Sequence, residues 1–273
     1  MQAVKARAAS IPGLGLGTWQ LQGEVCAERV ADALAIGYRH LDTAQAYENH
    51  AEVGRGLRAS GIERDEVFLT TKLWRDNLER EAVFSSMEAS LRELDTDYVD
   101  LLLVHWPHEA VDLEETLDAM RDLQARDRVR HLGVSNFTQS QVEEAAEIAP
   151  IVCEQAEYHP LLSQDPLLAS LRARDMAFVA YSPLAHGRVF DQTVISEIAR
   201  AHERSEAQIA LRWLLQQPSV CAIPKAAQRD HLEEDFRVFD FMLEEEEMDR
   251  LHELADRASE RVIDPDFAPE WER

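Results

Sequence analysis

Lysine is nearly absent from this chain. Only Lys5, Lys72 and Lys225 occur, and arginine supplies the remaining cations of a Lys+Arg total of 28, against 52 Asp+Glu. The net charge of −24 repels nucleic acid and anionic membranes, so neither is expected as a partner. Cysteine is scarce as well. Cys26, Cys153 and Cys221 are far apart with no CxxC, which excludes a disulfide framework; they read as small buried hydrophobes in a reducing cytoplasm. No apolar run approaches the ~20 residues of a membrane span. The opening MQAVKARAAS has basic residues but no apolar segment behind them, so no secretory signal is expected. No Gly/Ser/Pro-rich linker divides the chain, and residues 1–273 read as one domain.

The acid-rich, lysine-poor composition resembles that of proteins adapted to high salt, where the Debye length shrinks to ~3 Å at 1 M and self-repulsion is screened. The carboxylates are spread along the whole chain rather than gathered in a tail. Where surface lysine has been replaced, a lysine that remains is one needed as lysine. Lys72 and Lys225 therefore become candidates before any motif is consulted.

Eight short apolar, β-rich runs recur: 14–17, 39–42, 67–72, 98–105, 131–135, 151–155, 177–182 and 220–225. Helical periodicity fills the intervals, as in Val83, Met87, Leu91 and Leu94, then Leu113, Leu117 and Met120, then Ile195, Ile198 and Ala199. Continuous apolar runs suit strands buried on both faces, as in parallel sheets. Eightfold strand–helix alternation indicates an α/β fold, a (β/α)8 TIM barrel, with a doubly wound open sheet as the alternative. Residues 1–13 precede the first barrel strand and should cap the barrel's bottom. FDFMLEEEEMDRLHELADRASE (239–260) reads as an extra C-terminal helix, and VIDPDFAPEWER as a C-terminal loop packed on the barrel.

PGLGLGTWQ, residues 12–20, poses as a dinucleotide loop, with Asp42 at the distance of a ribose-binding acid. It spells G-x-G-x-G, whereas the Rossmann turn requires G-x-G-x-x-G. The glycines read instead as a first barrel strand of little bulk. Its end, Gly17-Thr18-Trp19, would let backbone approach a cofactor and set an indole beside the substrate.

Asp42, Lys72, His105, Ser135, Gln155, Tyr181 and Lys225 each fall at or just past the end of a strand. In a barrel those ends converge on one face, where active sites are built. Tyr47 lies five residues past Asp42. A free phenol has a pKa of about 10; a nearby Lys72 ammonium would lower it, and Asp42 could hold that lysine charged. His105 could donate a hydrogen bond to a substrate oxygen. Together the four make a site that delivers a proton to a carbonyl oxygen as hydride reaches its carbon.

These features lie in stretches that resemble the aldo-keto reductase family over nearly the whole chain: GLGTWQL, GYRHLDTAQAYENHAEVGRGL, FLTTKLW, LDTDYVDLLLVHWP, LGVSNF, CEQAEYHPLL, AYSPLAHG and IPKAAQRDHLEED. The resemblance implies a barrel that binds NAD(P)H without a Rossmann domain and reduces an aldehyde or ketone without a metal. It implies Asp42, Tyr47, Lys72 and His105 as the catalytic tetrad. Ser135, Asn136 and Gln155 match the residues that hold the nicotinamide carboxamide. Tyr181 matches the aromatic that stacks on that ring, and Ser182 and Leu184 match positions along the pyrophosphate. Lys225 matches the lysine near the adenosine 2′-phosphate, and Glu234 the adenine-binding glutamate. Trp19, Trp74 and Trp106 match aromatics that line the substrate pocket with Tyr47 and His105, and Phe267 and Trp271 of the tail would tune it.

The adenosine end departs from the family. Serine after the lysine, arginine six residues after it and asparagine ten after it are common there; this chain has Ala226, His231 and Asp235. Arginine offers a permanent forked charge to phosphate, histidine is mostly neutral at pH 7, and Asp235 would add negative charge. NADP(H) is still expected because Lys225 remains, with NAD(H) as a possible second cofactor.

Competing readings fare worse. A short-chain dehydrogenase needs Tyr-x-x-x-Lys, which is absent, and a metal-dependent barrel hydrolase needs an HxH, HExxH or Cys–His cluster, also absent. Histidines 40, 50, 159, 202 and 252 read as packing or surface residues. A cofactor-binding redox-sensing or regulatory barrel with little turnover is the alternative from another class. The expected protein is cytoplasmic, a monomer with an oligomer as the alternative, and its partner is a small carbonyl substrate.

Overall fold

The computed structural model describes residues 3–271. The eight apolar runs form the eight strands of one parallel sheet: β3 (Leu16–Gly17), β4 (His40–Asp42), β5 (Phe68–Leu73), β6 (Val99–Val104), β7 (Val129–Ser135), β8 (Ile151–Glu157), β9 (Ala177–Tyr181) and β10 (Val220–Ala222). They neighbour one another in chain order, so each crossover returns to the adjacent strand and the sheet curls in one direction. Backbone bonds close it: Gly15 N–H donates to Ala222 O (2.9 Å), and Gly17 N–H to Pro224 O (2.9 Å). A Cβ on Gly17 would lie 2.6 Å from Ile223 O, and one on Gly15 would lie 2.8 Å from the His40 ring. The paired glycines of the opening stretch are thus what lets the seam shut.

β1 (Ala3–Ala6) and β2 (Ala9–Pro12) form an antiparallel hairpin. Its Ala6, Ala9 and Ile11 pack with Leu101, Leu103, Cys153, Val179 and Cys221 in an apolar cluster that plugs the lumen, as expected of this segment; residues 1 and 2 of the expected cap lie outside the described residues. A second, larger cluster lies between strands and helices. The helices are α1 (Gly23–Ile36), α2 (His50–Ser60), α3 (Arg80–Leu94), α4 (Leu113–Ala125), α5 (Gln139–Ile148), α6 (Asp165–Ala173), α7 (Thr193–His202), α8 (Glu206–Gln216), α9 (Arg229–Phe236) and α10 (Glu245–Ala258).

Simple alternation gives one helix between β9 and β10; the chain has two, α7 and α8. Glu203 turns left-handed (φ 53°), and Ser205 and Gln208 form a reciprocal capping box that restarts the helix. α10 is the extra helix anticipated over 239–260. Its acidic run supplies a capping box, Glu244 with Glu247, where carboxylates complement the positive end of the helix dipole. Among the described residues no helix is long and apolar enough to cross a membrane, and no group of His, Cys, Asp and Glu could hold a metal.

Candidate active site

The C-terminal ends of the strands open into a cavity of about 1200 Å³. At its floor Lys72, on β5 and 1% exposed, uses all three donors. Its Nζ donates to Asp42 Oδ1 (2.5 Å), Thr43 O (3.0 Å) and Tyr47 Oη (3.2 Å). The other Asp42 oxygen accepts from Gln155 Nε2 (2.8 Å). A buried ammonium is thereby paired, and the phenol is tied to it. The His105 ring meets Tyr47 edge-on (centroids 5.7 Å) and Trp74 likewise (5.3 Å).

Tyr47 reaches this place because the chain after β4 is pinned. Residues Gln45–Tyr47 form a single 3-10 turn, ended by Glu48 in a left-handed conformation (φ 54°). Asn49 is buried and works in two directions: its Oδ1 accepts from Thr43 Oγ1 (2.7 Å), and its Nδ2 donates to Thr18 O and Leu21 O. Gln45 Oε1 accepts from Trp74 N (2.9 Å) and Asn77 Nδ2 (2.9 Å). The loops after β3, β4 and β5 are thus one hydrogen-bonded unit.

Electrostatics refine the sequence reading. Burial raises the Tyr47 phenol above its ordinary value, and the opposing pull of Lys72 only partly offsets this. The expectation that Lys72 leaves the phenol lowered is therefore corrected: desolvation in the closed floor outweighs it. Burial alone would lower the Lys72 ammonium, but Asp42 and Tyr47 overcome this and raise it. His105 is held well below its ordinary value by burial and by the Lys72 charge, so its ring is neutral at physiological pH.

The remaining candidates divide between the cavity wall and positions behind or beyond it. Gly17, Thr18, Asn136, Gln155, Tyr181, Ser182, Leu184 and Lys225 line the cavity. Asn136 has a left-handed backbone (φ 62°); its amide nitrogen donates to His105 O (2.9 Å), and its oxygen accepts from Tyr181 Oη (2.6 Å). Ser135 lies behind the wall with its hydroxyl donating to Gln155 O (2.7 Å). His231, Glu234 and Asp235, on α9, are outside the cavity lining. Asp235 is 5% exposed, and burial, with a smaller contribution from Glu234, raises its carboxyl to about 8. Burial thus works against the expected extra negative charge at this end. Lys225 is exposed and has no ion pair among the described residues, whereas Arg229 is held by Asp32 (2.5 Å) and Glu233 (2.9 Å).

Trp19, Trp74 and Trp106 also line the cavity, together with Val262, Ile263, Asp264, Pro265 and Phe267 of the tail. Phe267 meets Trp74 and Trp106 edge-on at 5.9 and 5.4 Å, and Trp271 lies 6.2 Å from Trp106. The tail is held from below by Glu157, a wholly buried carboxylate at the end of β8. It accepts from Val262 N–H (2.7 Å), Ile263 N–H (2.8 Å) and His159 Nε2 (2.8 Å).

Sequence reasoning missed Glu157, Glu154, Gln45, Asn49 and His186. Two glutamates in the strand IVCEQAE were the available signal, because an acid in a strand buried on both faces needs a dedicated partner. Glu154 is fully buried, accepts from Phe137 N–H (3.0 Å), and is pushed well above the usual carboxylate range by burial. His186 stacks on Trp19 (5.7 Å) at the rim. Nothing in its local pattern marks it.

A family model described as the Aldo/keto reductase family matches residues 13–256. The methylglyoxal reductase DkgB of Escherichia coli O157:H7 is 35% identical, the alignment covering 96% of this chain and 100% of that one. The glyoxal reductase of Bacillus subtilis (strain 168) is 38% identical over 89% of each. A crystal structure provisionally named a 2,5-diketo-D-gluconic acid reductase B superposes with a TM-score of 0.97 at 43% identity, covering 100% of this chain and 98% of that one.

Proposed function

The chain belongs to the aldo/keto reductase family, whose members are NAD(P)H-dependent oxidoreductases, and from that premise we propose that it reduces the carbonyl of small aldehydes and ketones such as methylglyoxal and glyoxal. The observation that carries the reading is the buried Lys72 ammonium, which bridges Asp42 and the Tyr47 hydroxyl at the cavity floor.

Tyr47 is the proton donor. Its raised pKa keeps the phenol protonated until a substrate oxygen gains charge. The Lys72 ammonium, 3.2 Å away, then stabilises the phenolate that is left, and Asp42 keeps that ammonium charged and aimed. Neutral His105 orients the carbonyl oxygen without competing for the proton.

The residues fit a nicotinamide dinucleotide. Asn136 and Gln155 present amides to the cavity, Tyr181 presents a ring, and Lys225 presents an unpaired ammonium. When bound, NAD(P)H supplies the hydride. Asn136 and Gln155, backed by Ser135, would hold the carboxamide, Tyr181 the ring face, and Ser182 and Leu184 the diphosphate. Lys225 would favour NADPH and Glu234 would hold the adenine; Ala226 and His231 in place of serine and arginine would leave NADH usable. The three cysteines are free and buried, which suits a reducing, cytoplasmic setting.

The test is oxidation of NADPH and of NADH, followed by absorbance, with methylglyoxal, glyoxal and nitrobenzaldehyde across a range of KCl. Turnover of at least one carbonyl is expected, faster with NADPH. Tight cofactor binding without turnover of any carbonyl would overturn the reading in favour of a cofactor-sensing barrel.

A further inference from the structure

The names of the relatives leave the charge of the substrate open, since methylglyoxal and glyoxal are neutral and a gluconic acid is an anion. The charged side chains on the cavity wall are Asp42, Glu48, Asp264 and Lys225, with His186 at the rim. Asp42 is occupied by Lys72 and Gln155. Lys225 is the residue that the reductase reading gives to the cofactor. That leaves two exposed carboxylates on the cavity wall, Glu48 and Asp264.

Neither makes an ion pair among the described residues. Glu48 immediately follows Tyr47 and has no ion pair or side-chain hydrogen bond among the described residues. Asp264 accepts from the indole Nε1 of Trp271 (2.9 Å), which fixes its place. The nearest candidate counter-charges are turned to other work. Arg75 stacks over Phe267 (4.5 Å) and Arg261 over Trp271 (3.7 Å), and neither lines the cavity. Arg261 also lies in the field of Glu157 and Asp264. With Lys225 taken by the cofactor, a carboxylate entering this cleft loses water and meets two like charges with no remaining cation on the wall to pair with. The molecule's net charge of −24 opposes its approach as well. A neutral dicarbonyl meets none of these penalties.

We propose that this cleft selects uncharged carbonyl substrates and rejects carboxylate-bearing ones, with Glu48 and Asp264 as the residues that set the discrimination. The inference rests on the reductase reading above. The fold gives each residue a distinct origin: Glu48 comes from the turn that presents the proton donor, and Asp264 from the tail latched by Glu157.

The experiment compares two substrates of one frame, para-formylbenzamide and para-formylbenzoate, by kcat/KM with NADPH at low ionic strength. Like charges within a partly solvated cleft shift such a ratio by roughly tenfold or more. The amide should therefore be preferred by about tenfold or more. In the double variant Glu48→Gln, Asp264→Asn the preference should collapse to within about threefold, since both amides keep an acceptor for neighbouring donors. It should also narrow as KCl is raised, because the carboxylates are exposed. Asp264→Lys should raise turnover of the benzoate specifically. Equal use of both substrates by the parent protein, or an unchanged ratio in the double variant, overturns the proposal. Absence of turnover of both substrates and of methylglyoxal, glyoxal and nitrobenzaldehyde would instead overturn the reductase reading, so the two failures are distinguishable.

Discussion

Replacing Asp235 by asparagine should stabilise this protein, and increasingly so as pH rises. The carboxyl is 5% exposed on α9 and has no side-chain hydrogen bond or ion pair among the described residues. Burial raises it from 3.8 to about 8. A carboxyl raised on folding contributes no penalty below its unfolded value. As pH climbs, the unfolded chain ionises first and is favoured, so stability falls between about pH 4 and pH 8 and then levels off. At about 1.4 kcal/mol per unit, the full penalty is on the order of 5 kcal/mol. An asparagine side chain at this position cannot ionise, so the variant and the parent should be equally stable near pH 4 and diverge above it. A gain of even half that penalty at pH 8 raises the thermal midpoint by roughly 5 °C or more for a chain of this size. The assay is thermal unfolding by circular dichroism from pH 4 to pH 9 at one scan rate. A pH-independent difference between the two proteins, or a variant that is less stable at pH 8, would refute the reasoning.

Three further outcomes follow from other parts of the structure. Lys225→Met should weaken NADPH binding by roughly tenfold while leaving NADH within about twofold, because one charge-assisted contact to phosphate is lost; equal effects on both, by fluorescence titration, would show that Lys225 does not read the phosphate. Glu157→Gln should release the tail, since an amide cannot accept from all three of its present donors. Hydrogen exchange at the Val262 and Ile263 amides should accelerate by about tenfold or more, with a raised KM for the carbonyl and an unchanged Kd for NADPH; unchanged exchange would place the latch elsewhere. The charge of −24 predicts a thermal midpoint that rises with KCl up to about 1 M as self-repulsion is screened, and a flat profile would show that the acidic surface does not destabilise the fold.

Much of this was legible in local pattern. Each apolar run became a strand because an eight-stranded barrel buries such runs on both faces, and Asp42, Lys72 and His105 were recognisable as polar residues where those runs end. What was not legible depends on chain folded back from far away. The Glu157 latch joins residues 105 and 106 positions apart, and no window along the sequence contains both ends. Asp235 was read as an added negative charge without regard to its burial, although the clue was local: it lies three residues from Leu232, on the buried face of α9. The rise of the Tyr47 phenol was hidden for another reason. Sequence names the groups that meet, but the balance between Lys72 and desolvation depends on how the folded chain sets His105 and Lys72 against the ring.

The central claim is that Tyr47 gives up the proton while other residues hold the cofactor. Tyr47→Phe tests it most directly, because phenylalanine keeps the ring against His105 and removes only the hydroxyl that Lys72 contacts. Carbonyl turnover should fall by roughly 10²–10⁴-fold, the range for loss of a positioned general acid, with the Kd for NADPH unchanged within about twofold. Turnover within a few-fold of the parent protein, with the cofactor bound as before, would contradict the account.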